Sequence, residues 1–468
     1  MSVNSRNPDS TGQDVASTKK MIFYAFGFVL TSHLIVAFDS YLFYYYEVEI
    51  GLPILLVSLA VIIFTVWTII VSPIAGYLTD RPFKWSKKYG FRAPWVLITG
   101  IPSLLLFILV FIPPNVNPKS NPWPIFLYFV IIACIFEVLF SIYRQNHSGI
   151  FAMLFRGDTE RKKATMLLYI ISTPISLILS LIPLTILVYG DKSSFLMAAI
   201  IVASIMLICL LLTMPGVYET KIIKERFFQG YNNKEKISFL KIVKISFRTK
   251  NFTIALLSFA LSYVSLMLIS ASSIYFFKDV LKLPLSYAII PTLCSFLAMT
   301  FSMPLWNRLS QKLDHAKIYM LGVLMSALAL IPLLWITTIE EYTVLSIFRG
   351  VATAGYIFMF QPIAADTYDE ITLKCERHLE ATLHGLRNIV FRSSAIFIAI
   401  ILGLIHIATN YDANPKAVQS PLAVWGVRVH TALIPILFYL LSFCIMLFYD
   451  LKGEKKVAIK KMLHEKGL

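Results

Sequence analysis

Acidic residues are scarce: the 468-residue chain holds 26 Asp and Glu against 42 Lys and Arg, and only 15% of its side chains are charged. With 57% hydrophobic residues and a mean hydropathy of +0.73, a soluble globular protein of this length is excluded. Cysteine is sparse as well. The five present, Cys134, Cys209, Cys294, Cys375 and Cys444, are odd in number and share no metal-like spacing, which excludes a disulfide framework and a cysteine zinc site. There is no phosphate-binding glycine loop, no channel-filter sequence and no sizeable polar domain, which argues against a pump or channel. No cofactor is implied.

What is there is a series of long apolar runs. A helix needs about 20 apolar residues to cross roughly 30 Å of hydrocarbon. Spans fall near 21–45, 52–79, 94–113, 123–147, 164–188, 193–216, 252–277, 287–307, 318–337, 343–365, 381–408 and 428–450, which makes twelve. The expected fold is therefore an all-α membrane protein with both termini on one side. The first twenty residues are polar, and the apolar run behind them is too long for a signal-peptide core and lacks a cleavage site, so it reads as a retained first helix.

The net charge of +16 would suggest a nucleic-acid partner in a soluble protein; here its distribution is a topology signal. Thirty-two Lys and Arg lie on the side of the termini and six on the other, Lys119, Lys192, Lys278, Lys282, Lys416 and Arg428. Arg144, Arg349, Arg387 and Arg392 fall inside spans. The positive-inside rule puts both termini in the cytoplasm, in a multi-pass cell-membrane protein. Anionic lipid is a secondary partner for the basic loops.

The longest polar interruption follows span six. It divides the chain into a tail (1–20), a first bundle (21–216), a basic linker (217–251), a second bundle (252–450) and a basic tail (451–468). Within the linker, apolar and basic residues from Ile237 to Arg248 alternate at roughly helical spacing, either a surface-lying amphipathic helix or a solvated linker. Matching basic loops at 80–93 and 308–317 occupy equivalent places in the two halves, as in a carrier that rocks about a central site. Prolines within spans, such as Pro73, Pro174 and Pro362, are either bends around a cavity or ordinary kinks.

Gly76-Tyr-Leu-Thr-Asp80-Arg81, followed by Trp85, Lys87, Lys88, Gly90, Arg92, Pro94 and Trp95, resembles the loop between helices 2 and 3 of the glycoside–pentoside–hexuronide:cation symporters. These form the melibiose-carrier branch of the major facilitator superfamily. Tyr44-Tyr45-Tyr46-Glu47-Val-Glu-Ile-Gly-Leu52 and Ala365-Asp366-Thr-Tyr-Asp369-Glu370 also resemble segments of that family. The resemblance implies two six-helix bundles, alternating access, and a sugar, glycoside or uronide as substrate. It further implies a cytoplasmic gate at Asp80 and Arg81, and places Arg392 where the family has a sugar-site lysine. The chain departs from the pattern in span 2. The two positions where the family carries cation-binding carboxylates are here Thr68 and Ser72, and two hydroxyls are poor sodium ligands.

Ionisable groups within a span cost roughly 2.5–3.5 kcal/mol each at its centre, so they face a cavity or a partner. Asp39 in span 1 is either a proton- or substrate-binding carboxylate or half of an ion pair. Glu137, Arg144 and His147 in span 4 lie near one helical face, expected on the cavity side. Arg144 can grip hydroxyls or a carboxylate and His147 can titrate near neutral pH; the competing reading is a packing network with Arg144 neutralised by Glu137. Arg387 is expected to latch one conformation through Asp366, Asp369 or Glu380. Tyr143, Phe151, Tyr169, Tyr356, Phe358 and Trp67 are sugar-stacking candidates, though most such rings pack or face lipid.

The sequence-level expectation is a monomeric, non-enzymatic secondary transporter of a small polar solute. The substrate and coupling set is Asp39, Glu137, Arg144, His147 and Arg392, with protons through Asp39, Glu137 or His147 favoured over sodium. The alternatives are a lipid or lysolipid carrier and a non-transporting receptor. An apolar lateral opening beside the charges distinguishes the first.

Overall fold

The computed structural model describes residues 17–79, 83, 86, 90–155, 158–219, 239–376 and 380–465, and among them there is no strand. Asp80 and Arg81 lie outside the described residues, as does much of the linker. Asp39 is placed by its backbone only. The first half comprises α1 (Thr18–Tyr44), α2 (Ile54–Thr79), α3 (Ala93–Leu109), α4 (Trp123–Leu154), α5 (Asp158–Ile186) and α6 (Lys192–Val217). After α7 (Phe239–Arg248) in the linker come α8 (Lys250–Tyr275), α9 (Ile289–Ser310), α10 (His315–Leu330) and α11 (Ile339–Cys375). The eleventh span is the pair α12 (Glu380–Arg392) and α13 (Ser394–Ala408), and the twelfth is α14 (Pro421–Arg428) with α15 (Ile434–Met446). A last helix, α16 (Gly453–Glu465), follows them.

Ten of these stretches are long and apolar enough to cross a membrane; α3 is shorter at 17 residues, and α1 runs for 27. The chain caps them where it leaves the apolar runs. Asp191 accepts the Ser193 N–H at the start of α6, Thr338 and Glu341 form a capping box on α11, and Ser420 caps α14. Each cap satisfies amide donors that the helix itself leaves without partners. In the first half α1 packs on α5 and α6, and α4 on α2 and α3; in the second, α11 packs on α9 and α10, and α8 on α15. Across the halves α1 meets α8 and α2 meets α13.

An internal repeat links the halves. Tyr44-Tyr-Tyr-Glu-Val-Glu-Ile-Gly-Leu-Pro53 closes α1, and Tyr275-Phe-Phe-Lys-Asp-Val-Leu-Lys-Leu-Pro284 closes α8 in the same way. Both segments widen into a single π turn, Tyr45–Glu49 and Phe276–Val280, and leave it through a positive-φ residue, Gly51 or Lys282. The closing hydrogen bonds match: Ile50 N to Tyr45 O at 2.9 Å and Leu281 N to Phe276 O at 3.0 Å. The repeat puts Glu47 opposite Lys278, so the halves share a backbone and differ in charge at one end.

Glycines permit the closest crossings. A Cβ on Gly216 of α6 would run into the Tyr24 backbone nitrogen on α1, whereas a Cβ on Gly76 meets no heavy atom within 4 Å. Gly216→Val is therefore expected to overpack the α1–α6 seam and destabilise the bundle by about 1–3 kcal/mol. Gly76→Ala should be neutral or slightly stabilising. Thermal unfolding in detergent checks both; equal midpoints for the two variants would contradict the crossing.

At its termini end the second half is tied to α16. Lys456 reaches Asp366 at 2.6 Å, and His315 Nδ1 lies 3.3 Å from the same carboxylate. Glu219, just after α6, accepts the backbone N–H groups of Phe91 and Arg92 at 2.6 Å and of Ala93 at 3.2 Å, capping α3.

Candidate functional site

Two connected cavities lie between the halves. The smaller, about 50 Å³, is bounded by Thr65 and Thr68 of α2, Ser40 of α1, Tyr263 and Ser270 of α8, and Arg392 at the end of α12. The larger, about 510 Å³, includes His33, Ser180, Ser295 and Tyr342 in its wall, with Arg349 of α11. Val36, Ser40 and Ser270 line both, so the two spaces meet between α1 and α8. Serines and threonines alternate with Leu179, Pro183, Leu266, Phe296 and Met299 in the larger wall, which is thus amphiphilic. It runs between α5 and α9, the two least covered spans, with 28% and 17% of their apolar stretches buried.

Arg349 touches the Tyr342 hydroxyl at 3.5 Å, and among the described side chains, which do not include Asp39, no carboxylate pairs with it or with Arg392. Arg392 lies within electrostatic range of Arg144 across the halves. Arg144 itself is held from below. Its Nη2 donates to Ser72 Oγ at 3.1 Å and stands 3.7 Å from Glu137 Oε1. Ser141 bridges the group, donating to Glu137 at 2.7 Å and contacting Ser72 at 3.0 Å. A guanidinium thus occupies the polar space beside Ser72, where a second cation would meet repulsion. Thr68, one turn up, spends its hydroxyl on the Phe64 carbonyl at 2.9 Å.

Span 4 separates its three ionisable residues. At about 100° per residue, seven residues bring Arg144 back to within roughly 20° of Glu137, while three more turn His147 about 60° away. That rotation places His147 in the α1–α4 seam and not on the cavity wall. It is fully buried, stacks on Tyr24 with centroids 4.4 Å apart, and contacts the Tyr24 carbonyl at 3.2 Å. Arg387 bonds Gln361 Oε1 at 3.3 Å and His384 Nδ1 at 2.8 Å, whereas Asp366 is engaged by His315 and Lys456. In this conformation Arg387 and Asp366 therefore have separate partners; Asp369 follows Asp366 by three residues on α11. Of the proposed stacking rings, Tyr143 and Tyr356 are buried in helix packing and Tyr169 is largely exposed. The small cavity instead presents Tyr263 stacked on Phe391 at 4.8 Å.

At the end away from the termini the halves are sealed by polar groups not singled out in the sequence. Glu47, 1% exposed, receives the Tyr275 hydroxyl at 2.6 Å and contacts His406 Nδ1 at 2.7 Å. His406 Nε2 meets His430 Nε2 at 3.4 Å, and His430 Nδ1 meets Ser272 Oγ at 2.7 Å. Tyr411 stacks on His406 at 4.3 Å and donates to Asp279 at 2.7 Å, which Lys278 pairs at 2.9 Å. The available signal was the internal repeat, which sets Glu47 against Lys278.

A family profile described as MFS/sugar transport protein matches residues 23–453. The chain belongs to that family. Relatives include the sodium-dependent lysophosphatidylcholine symporter 1-A of Danio rerio, 20% identical over 440 residues, covering 85% of this chain and 79% of the relative. Another is the uncharacterized symporter YjmB of Bacillus subtilis, 24% identical, covering 96% of each chain. Among solved structures, the nucleoside transporter NupG superposes with a TM-score of 0.59 at 14% identity, covering 93% of this chain and 100% of its own. A D-xylose-proton symporter gives 0.59 at 13%, covering 91% and 96%. The family member is thus a multi-pass secondary transporter of the major facilitator type, with symporters as relatives and the fold of known carriers.

Proposed function

We propose that the carrier moves a small anionic solute, a uronide or another sugar acid, by alternating access between the two halves. The observation that carries this is the pair Arg392 and Arg349, which line connected cavities with no carboxylate partner among the described side chains. Cations converging in a desolvated cavity favour a compensating anion. The serine and threonine walls suit a solute's hydroxyls, and the Tyr263–Phe391 pair suits the apolar face of a ring. The branch proposed is the glycoside–pentoside–hexuronide one, in keeping with membership of the MFS/sugar transport family. The excess of Lys and Arg on the termini side supports cytoplasmic termini.

Proton coupling is favoured over sodium, because the Arg144 guanidinium fills the space next to Ser72. Asp39 and Glu137 remain the carboxylates proposed to carry the proton, while His147, stacked in the α1–α4 seam, has lost its support from geometry. Asp80, Arg81, Asp366, Asp369 and Arg387 are proposed as the cytoplasmic gate.

One observation favours a second reading. The larger cavity is amphiphilic and lies between the least covered spans, which is where an acyl chain would enter from the bilayer, and relatives include lysophosphatidylcholine symporters. Arg349 would then hold a lysolipid phosphate. Uptake into proteoliposomes separates the two. Labelled hexuronate, a neutral glycoside and lysophosphatidylcholine are offered under inward proton or sodium gradients. Hexuronate accumulation under the proton gradient is expected. Preferential uptake of the neutral glycoside would overturn the anion reading; preferential uptake of the lysolipid would establish the second one.

A further inference from the structure

We propose that Glu47, His406 and His430 form a proton-binding site that locks the halves together at the end opposite the termini, so that closure of this outer gate takes up one proton. The proposal rests on the alternating-access reading and concerns groups that the substrate and coupling proposals do not use.

Of the carboxylates around the site, Glu47 is the fully buried one without a fixed cation. From α1 and its π turn come Glu47, Tyr44 and Glu49, and Glu49 accepts the Gly190 N–H at 3.0 Å in the loop before α6. Tyr189 from that loop stands beside Tyr44. From the end of α8 come Tyr275, Lys278 and Asp279; from the loop after α13 comes Tyr411; from the π turn after α14 comes His430. Lys278 is spent on Asp279, and Tyr411 donates to the same carboxylate. Tyr275 supplies Glu47 with a hydrogen bond but no charge. The remaining group within reach of Glu47 that can become cationic is His406, at 2.7 Å.

The wire has one arrangement for each proton count. With both imidazoles neutral, His406 Nδ1–H donates to Glu47, His430 Nε2–H donates to His406 Nε2, and Ser272 donates to His430 Nδ1. Every contact is made, but a buried carboxylate is left uncompensated, which is costly in a dry seam. One added proton makes His406 an imidazolium that donates from both nitrogens. His430 then accepts at Nε2 and turns its Nδ1–H to Ser272. Every contact survives and the charge is cancelled. Opening returns Glu47 and His406 to water, where the pair is worth little and the proton can leave. Closure is thus favoured by acid. Between the open-state and closed-state titrations, the closed-to-open ratio rises by up to about tenfold for each unit of falling pH.

The test is thiol accessibility in the full chain, with the five native cysteines replaced. Ser270→Cys reports the cavity below the gate. Val418→Cys, 89% exposed on the outer loop, corrects for the reagent's own pH dependence and for sidedness. The labelling ratio of Ser270→Cys to Val418→Cys, with an impermeant thiol reagent on the outer face of proteoliposomes, is expected to fall several-fold from about pH 8 to about pH 5.5, across the ordinary histidine range. Glu47→Gln removes the charge that needs compensation, so labelling should be slow at every pH. His406→Gln removes the proton acceptor, so labelling should be fast with a shallow slope. These opposite directions cannot both arise from misfolding. A flat ratio in the parent chain, or an unchanged slope in Glu47→Gln, overturns the proposal. No labelling of Ser270→Cys at any pH overturns alternating access and the proposal with it.

Discussion

Arg392→Gln is expected to weaken transport of an anionic solute by about 10- to 100-fold, read as apparent affinity in proteoliposome uptake. A hydrogen bond to a charged group contributes roughly 1.5–3 kcal/mol, and removing the guanidinium deletes it together with the long-range attraction. Because no carboxylate among the described side chains pairs with Arg392, the variant should fold with nearly the parent's thermal midpoint. That separates a binding role from a structural one. Arg392→Lys keeps the charge and loses the planar fork, so partial recovery is expected. Arg349→Gln should act in the same direction. If hexuronate uptake is insensitive to Arg392→Gln while lysophosphatidylcholine uptake fails in Arg349→Gln, the solute occupies the larger cavity and the second reading is correct. Unchanged transport of every anion in both variants would remove the basis for an anionic substrate.

The all-helical fold and its series of long apolar spans could be read along the chain, because hydrocarbon thickness sets a length that composition alone can meet. Charge within the spans was legible as an alert and less so as an address. Glu137 and Arg144 are seven residues apart and stay on one face, so their partnership follows from helical geometry. His147 needed only a further turn of about 60° to exchange a cavity wall for the α1–α4 seam, a distinction that spacing does not resolve. Glu47 was visible as part of the aromatic end of span 1, but its partner His406 lies 359 residues away. Nothing local joins them; the meeting of α1 with α8 and of α2 with α13 does. Arg349 had no role in the linear reading for the same reason. Its significance depends on the gap between α5 and α9, which exists only after the halves are packed.

Glu137→Gln should be among the most destabilising single substitutions within the spans. Glu137 is fully buried, and its partner Arg144 has Arg392 as a neighbouring like charge. Removing the carboxylate leaves two guanidiniums near each other with no compensating charge from Glu137. Breaking a buried pair from one side costs about 3–5 kcal/mol. Arg144→Leu should cost less, since the stranded carboxyl can take a proton and keep its hydrogen bond with Ser141. The double variant Glu137→Leu with Arg144→Met should recover much of the loss, because a well-packed apolar pair of similar volume often replaces a buried ion pair without penalty. Thermal midpoints of the four proteins in detergent make the comparison. If Glu137→Gln unfolds at the parent's temperature, the pair is not a structural tie; loss of proton-driven uptake in the folded variant is expected either way if Glu137 carries the coupling proton. If the double variant is no better than the worse single one, the pair is not the interaction that makes either residue costly to remove.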